Sequence, residues 1–396
     1  MATVALRRFT NPDTLKHISN ESLVQLLTPH RDFFTGRGLQ LPALNDGLVD
    51  CEKLASIFMT PDTDMPNVLA NALFLIHEMS TKDAMDKLVV AAEAVQPPVN
   101  LDGADEPADV AVRVWLLRRS VLEAVHSEYE LSRPKTFVSY LTDRDPVPEF
   151  KEPNEASRRA WEQNMDAVFQ KKKRGDGCRV MIYLRDGYCW FLVRHGEPCR
   201  REGSYEQGKP GSVFYRPQQH DVLIYNLETG ELSIHAGSQW ERDLYRESLG
   251  VFVFSIKNFF PGDGKYTLEP LILKNEAALK CGDVDEIEWV KLREVEFELC
   301  GSGRKNPERE IRKANDLFTA FEARGFNFKP GHVIKRAVFA VKFKEAKRSR
   351  SVTITPSNRA KYDRDGDSTI MEAWLKLRGF ILEQIDEDTD GPLADA

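Results

Sequence analysis

The chain has 396 residues, 41% of them hydrophobic and 30% charged, with a formal net charge of −7. That apolar fraction can fill a core, which excludes a wholly disordered or fibrous chain, and the length suits two or three domains. No apolar run approaches the ~18 residues of a membrane-spanning helix and the N-terminus lacks a signal-peptide pattern, so the sequence reads as soluble and cytoplasmic, with no membrane partner.

Residues 1–130 read as an all-helical domain. Apolar residues recur three and four apart at Leu23, Leu26 and Leu27, and again at Val68, Leu69, Ala72, Leu73 and Ile76. Asp62, Asp64 and Pro66 mark a helix start, with acids at the positive end of the dipole and proline in the first turn. A further helix is predicted over 83–94, stopped by Pro97 and Pro98. Val110, Val114, Leu117, Val121 and Ala124 form a stripe that predicts another over 107–130. This domain is expected to engage a protein partner.

Residues 131–175 read as a linker, with Pro134, Pro146, Pro148 and Pro153, followed by a short helix over 154–171. Residues 176–300 read as a β-rich domain. Asp186 and Gly187 supply a two-residue hairpin turn. It pairs Arg185 with Tyr188, Leu184 with Cys189, Ile182 with Phe191 and Val180 with Val193, leaving one wholly apolar face. A second hairpin runs over 221–235, then a helix over 239–249 and a long strand over 287–299.

Residues 301–385 read as an α+β domain. Asn306, Pro307 and Glu308 predict a helix that runs to Arg324 and stops at Gly325. A strand pair follows over 338–343 and 351–355, joined by a basic loop. Thr369 and Glu372 have capping-box spacing before a last helix ending at Gly379. Residues 386–396 form an acidic, disordered tail. The class is α+β: an N-terminal all-helical domain followed by an antiparallel-sheet α+β region.

The chemistry-bearing residues are sparse. The six cysteines form no C-x-x-C pair and read as reduced, mostly buried thiols rather than zinc ligands or a disulfide scaffold. Leu192 to Glu197 contain Arg194-His195-Gly196, which resembles the Arg-His-Gly motif of the histidine phosphatase superfamily over about six residues. The resemblance implies a phosphorylated His195 and a phosphate-binding Arg194. In that family the motif ends the first strand of a parallel sheet and a second histidine follows much later; here it ends a hairpin strand, with His235 the one faint counterpart. Asp363, Asp365 and Asp367 look like a calcium loop, but the Gly and Glu positions of an EF-hand do not match, so they read as acids before a helix. His220 and Asp221 are neighbours on a strand and point oppositely. Arg304 and Lys305, after a Gly-rich turn, are a weak anion site. Glu288, Lys291, Lys342 and Lys344 offer fragments of a nuclease motif without a complete set. No cofactor or metal is expected.

Charge is uneven. Residues 301–360 carry fifteen Lys/Arg against five Asp/Glu, and residues 383–396 carry six acids and no base. Lys335, Arg336, Lys342, Lys344, Lys347, Arg348 and Arg350 cluster on the predicted strand pair, with Phe339 and Phe343 interleaved. A projecting basic hairpin can follow a phosphate backbone, or it can be a solvated loop that protects a sheet edge. The sequence therefore points to a non-enzymatic interaction protein within a larger assembly, contacting nucleic acid or an acidic protein surface through this hairpin. A phosphate-handling enzyme at Arg194 and His195, or a purely structural subunit, are the alternatives.

Overall fold

The computed structural model describes residues 6–44, 46–60, 64–206, 208–298, 308–329, 331–364 and 366–382. The chain divides into two compact units, Met1–Glu130 and Leu131–Ala396. None of the described helices is long and apolar enough to cross a membrane.

The first unit is helical: α1 (Pro12–Lys16), α2 (Asn20–Leu27), α3 (Arg31–Gly36), α4 (Cys51–Met59), α5 (Asn67–Met79), α6 (Lys82–Ala94) and α7 (Pro107–Ser132), which runs just past the boundary. Side chains cap four of these starts, Asn11 accepting from the Asp13 amide at 3.0 Å before α1. Ser19 accepts from the Ser22 amide at 3.2 Å, Asp50 from Lys53 at 3.0 Å and Thr81 from Ala84 at 3.1 Å, each cap contributing about 1 kcal/mol. Leu23, Leu26, Leu27, Leu69, Leu73, Ile76, Val110 and Val114 lie in one core, as their spacing requires. The stripe on α7 does not run through. The helix breaks at Arg118 (φ −151°, ψ 68°), leaving Leu117 and Ala124 exposed while Leu122 and Val125 turn inward.

The second unit is built on a ten-stranded antiparallel sheet. Its strands are β1 (Thr136–Tyr140), β2 (Arg179–Arg185), β3 (Tyr188–Gly196), β6 (Gln218–Asn226), β7 (Leu232–His235), β8 (Ile287–Glu298), β9 (Arg309–Lys313), β10 (Val333–Phe343), β11 (Arg350–Thr355) and β12 (Arg359–Lys361). Between β3 and β6, strands β4 (Arg200–Glu206) and β5 (Lys209–Tyr215) form a separate two-stranded ribbon. The sheet order is β2-β3-β6-β7-β1-β12-β11-β10-β8-β9. Helices α8 (Glu155–Lys171) and α9 (Gln239–Phe254) pack on the first five strands through Trp161, Met165, Phe169, Tyr245 and Leu249. Helices α10 (Glu269–Leu273), α11 (Leu317–Arg324) and α12 (Ser368–Arg378) cover the last five through Leu271, Phe321 and Trp374. Each such side chain stabilises the fold by roughly 1.5–3 kcal/mol when fully buried.

The fold is α+β, helices first and antiparallel sheet after. The β2–β3 register runs from Arg185↔Tyr188 through Leu184↔Cys189 to Val180↔Val193, with Asp186 (φ 50°) and Gly187 (φ 78°) making the turn. Several local expectations are corrected. The supposed linker contains β1, which sits mid-sheet between β7 and β12 with Phe137 and Tyr140 buried; its five residues escape notice among the flanking prolines. Residues 309–313 form a strand rather than the start of a helix, because Arg309 to Lys313 pair with Glu294 to Glu298, and the helix begins only at Leu317. Strands on both sides of residue 300 share one sheet, so the chain does not break into separate domains there. Thr369 lies inside α12 and makes no capping box; Glu372 turns instead to Lys265. Phe339 and Phe343 are core residues. Arg304, Lys305 and the acidic tail lie outside the described residues.

A buried ionic set ties the two halves of the sheet together. Lys265 Nζ donates to both Glu231 oxygens, at 2.8 and 2.6 Å, and to Glu372 at 3.2 Å. Arg364 donates to Glu372 at 3.0 Å and to the Tyr362 hydroxyl. Burial alone would lower the Lys265 ammonium, but the two carboxylates outweigh it and raise it. The adjoining cavity, lined by Tyr188, Trp190 and Arg364, is only about 30 Å³, room for a water rather than a ligand.

Candidate functional site

Arg194 and His195 are consecutive on β3 and leave opposite faces of the sheet. Arg194 is exposed, whereas the His195 side chain is 1% accessible, stacked on Phe169 with ring centroids 4.5 Å apart. The chain does not bring them together, nor does it bring His235 to them: His235 lies on β7 and bonds the Thr136 carbonyl at 2.9 Å. The partner of His195 is Asp221. Register places His195 opposite Gln219 and Asp221 opposite Val193, which makes the two diagonal neighbours on one face.

His195 Nε2 donates to Asp221 Oδ2 at 3.0 Å and Nδ1 donates to the Gly196 carbonyl at 3.0 Å. The two acceptors are satisfied together when the ring carries a proton on each nitrogen, so this setting favours the imidazolium form. Burial alone would lower its pKa, but the Asp221 hydrogen bond and charge and the Gly196 carbonyl outweigh that and raise it. Tyr245 donates to the same Asp221 oxygen at 2.8 Å, and burial next to that carboxylate holds its phenol protonated. Asp221 Oδ1 is buried without a hydrogen-bond partner. Glu241 approaches this set but is held by Arg174 at 2.9 Å and by Ser238 at the start of α9. This is an ionic anchor beneath the end of β3, closed to solvent, and it presents no nucleophile to a substrate.

Two groups among the described residues gather metal-ligating atoms within 4.8 Å: His195, Asp221 and Glu241, and, in the helical unit, Glu78, His126 and Glu130. The first set is engaged as above. The second places His126 and Glu130 one turn apart on α7 with Glu78 from α5, a donor set that suits a divalent cation. His220 lies apart from Asp221 and meets Gln218 at 3.1 Å. Asp363 caps the Gly366 amide at 3.2 Å and Asp367 pairs with Arg350, so both acids serve the turn before α12.

The predicted basic cluster separates into two parts. On the strands, each cation faces an acid. Lys335 pairs with Glu298 at 3.3 Å, Arg336 with Glu294 and, at 3.6 Å, with Glu296. Lys342 reaches Glu288 at 3.1 Å and folds back onto the Ala346 carbonyl at 2.8 Å. Lys313 on β9 adds a 2.8 Å pair to Glu294, and Arg309 one of 3.2 Å to Glu296. This face is a lattice of opposite charges. At the hairpin tip, Lys344, Lys347 and Arg348 are exposed and have no acidic partner among the described residues.

Sequence reasoning missed a second basic region. Residues 171–220 carry eleven Lys/Arg against five Asp/Glu, a count that was there to be made. Lys171, Lys172 and Lys173 are exposed at the end of α8. Their turn packs on the root of the β4–β5 ribbon: Arg216 donates to the carbonyls of Lys173 at 2.6 Å and Glu197 at 2.8 Å. Beside it, a groove of about 600 Å³ between α8 and the edge strand β2 has a mixed lining, Arg158, Arg179 and Arg194 together with Glu155, Glu162 and Asp166. Arg179 approaches Glu162 at 3.6 Å, while Arg158 and Arg194 have no acidic partner among the described residues. A comparison with models of known protein families finds no match, and a comparison with curated proteins finds none either.

Proposed function

We propose that this is an interaction protein with no catalytic step of its own, whose partner is nucleic acid, contacted in part through the tip of the β10–β11 hairpin. The observation that supports this reading is the exposure of Lys344, Lys347 and Arg348 without acidic partners, next to strands whose cations are all paired. Unpaired lysines and arginines on a projecting turn release counterions when they meet phosphates. The helical unit, with Leu48 and Val68 exposed on its surface, is assigned to a protein partner in the same assembly. The test is fluorescence anisotropy with labelled duplex DNA, single-stranded DNA and RNA across a salt series. Lys344→Glu/Lys347→Glu/Arg348→Glu is expected to flatten the duplex salt slope by about 2.7, three contacts at about 0.9 each. An absence of binding by the unaltered protein at low salt would contradict the proposal and favour an acidic protein surface.

A further inference from the structure

We infer that the β4–β5 ribbon and its root form a contact for single-stranded nucleic acid, with bases stacking on Tyr205 and Phe214 while Arg201 and Lys171 to Lys173 hold phosphates. The inference rests on the nucleic-acid reading above and names its substrate class and a second place of contact.

The ribbon stands outside the ten-stranded sheet, and every residue of β5 is exposed. Cross-strand partners share a face. The pairs Arg201↔Phe214, Gly203↔Ser212 and Tyr205↔Pro210 therefore put Arg201, Phe214 and Tyr205 on one face. Between the two rings lie only a glycine and a serine, neither of which has a bulky side chain to cover them. Phe214 is 69% and Tyr205 75% exposed. Large rings so exposed on both strands of one hairpin are an unfilled contact rather than scattered surface. The two stations are four residues apart along the strands, roughly 13 Å.

An isolated two-stranded ribbon is marginal, so it needs a fixed base to act as an arm. The base is fixed here. Arg216 threads between the Lys173 and Glu197 carbonyls, and the Glu197 amide donates to the Pro217 carbonyl at 2.8 Å. A Cβ on Gly196 would come within 2.4 Å of Arg216 Cδ and 2.6 Å of the Arg174 carbonyl, so only glycine admits this approach. His195, one residue earlier, is locked to Asp221. The Arg216 bond to the Lys173 carbonyl holds the Lys171–Lys173 turn against the ribbon root.

Charge selects the partner and the rings select its form. Lys171, Lys173 and Arg201 have no acidic partner among the described residues, and Lys172 sits 5.4 Å from the Trp240 ring centre. That arrangement complements a polyanion. An acidic peptide would use the cations but would have no need of exposed rings. A duplex keeps its bases stacked on one another, whereas a single strand offers the flat faces on which aromatic side chains stack.

The experiment compares four proteins against labelled oligodeoxythymidine and a duplex: unaltered, Tyr205→Ala/Phe214→Ala, Lys171→Glu/Lys172→Glu/Lys173→Glu, and the hairpin-tip variant. A fifth, Tyr205→Phe/Phe214→Tyr, keeps both rings and is expected to bind like the unaltered protein. Loss of the rings is expected to weaken single-strand binding about tenfold or more and duplex binding less than about twofold. Reversal of the three lysines is expected to flatten the single-strand salt slope by about 2, three contacts at about 0.7 each. Lysine-dependent binding that is indifferent to the ring variant overturns the inference, as does equal loss on both nucleic acids. Binding lost in the tip variant and retained in both ribbon variants overturns it while leaving the nucleic-acid reading intact. No binding by the unaltered protein overturns both.

Discussion

The β8–β9–β10 face and the β4–β5 ribbon with its root are both rich in lysine and arginine, and the fold treats them in opposite ways. On the first, Glu294, Glu296 and Glu298 alternate along β8 and, with Glu288 nearer its start, pair with the cations of the neighbouring strands β9 and β10. On the second, Lys171, Lys173 and Arg201 have no acidic partner among the described residues, Arg200 pairs with Glu197, and Tyr205 and Phe214 are exposed. The number of cations in a segment therefore does not mark a contact surface; what matters is whether register delivers an acid to each one.

The comparison can be broken most severely from beneath the ribbon. Asp221→Ala removes the partner of a buried imidazolium, which is expected to cost about 3–5 kcal/mol of unfolding free energy; urea titration measures it. A loss of less than about 1 kcal/mol would mean that the ribbon does not stand on a buried ionic anchor. Gly196→Ala forces a methyl group into Arg216 and the Arg174 carbonyl. It is expected to cost about 1–3 kcal/mol and to open the ribbon to limited proteolysis near 200–215.

The pH dependence of stability sharpens the same point. The folded pKa of His195 lies above its ordinary value of 6.5. The ion pair therefore stabilises the fold fully below about pH 6.5, and that contribution falls as pH rises through the folded value. Denaturation midpoints compared at mildly acidic and mildly alkaline pH should show the loss, and Asp221→Asn should abolish the difference.

The paired face tests the other side of the comparison. Glu294→Gln/Glu296→Gln/Glu298→Gln removes ion pairs whose cations are exposed to solvent, each worth about 0–1 kcal/mol. It also leaves Lys335, Arg336, Arg309 and Lys313 without acids, so duplex binding should strengthen several-fold at low salt. Unchanged binding would show that pairing is not what silences this face.

How much of this the sequence carried depends on range. The β2–β3 register was legible because Asp186-Gly187 fixes the turn and the alternation fixes the faces, both within a few residues. The basic tip at 344–348 was legible as a charge run. The ribbon was not, because neither of its faces is buried and its strands carry no apolar alternation to announce them. The neutralising acids on β8 and the His195–Asp221 pair were invisible for another reason: they are brought together by strand pairing across separations such as 26 positions for His195–Asp221, 42 for Arg336–Glu294 and 54 for Lys342–Glu288. Arg194-His195-Gly196 shows the converse, three adjacent residues whose motif dissolves once a strand sends neighbours to opposite faces.

The central claim is that nucleic acid is held where cations lack acidic partners and not merely where cations are numerous. Photo-cross-linking the full chain to a single-stranded oligonucleotide carrying halogenated pyrimidines, with adducts mapped by mass spectrometry, tests it most directly. Adducts at Tyr205 and Phe214, with further peptides from 171–174 and 344–348, are the predicted result. Adducts concentrated on the paired strand faces over 309–313 and 333–342, with the ribbon unmarked, would contradict it.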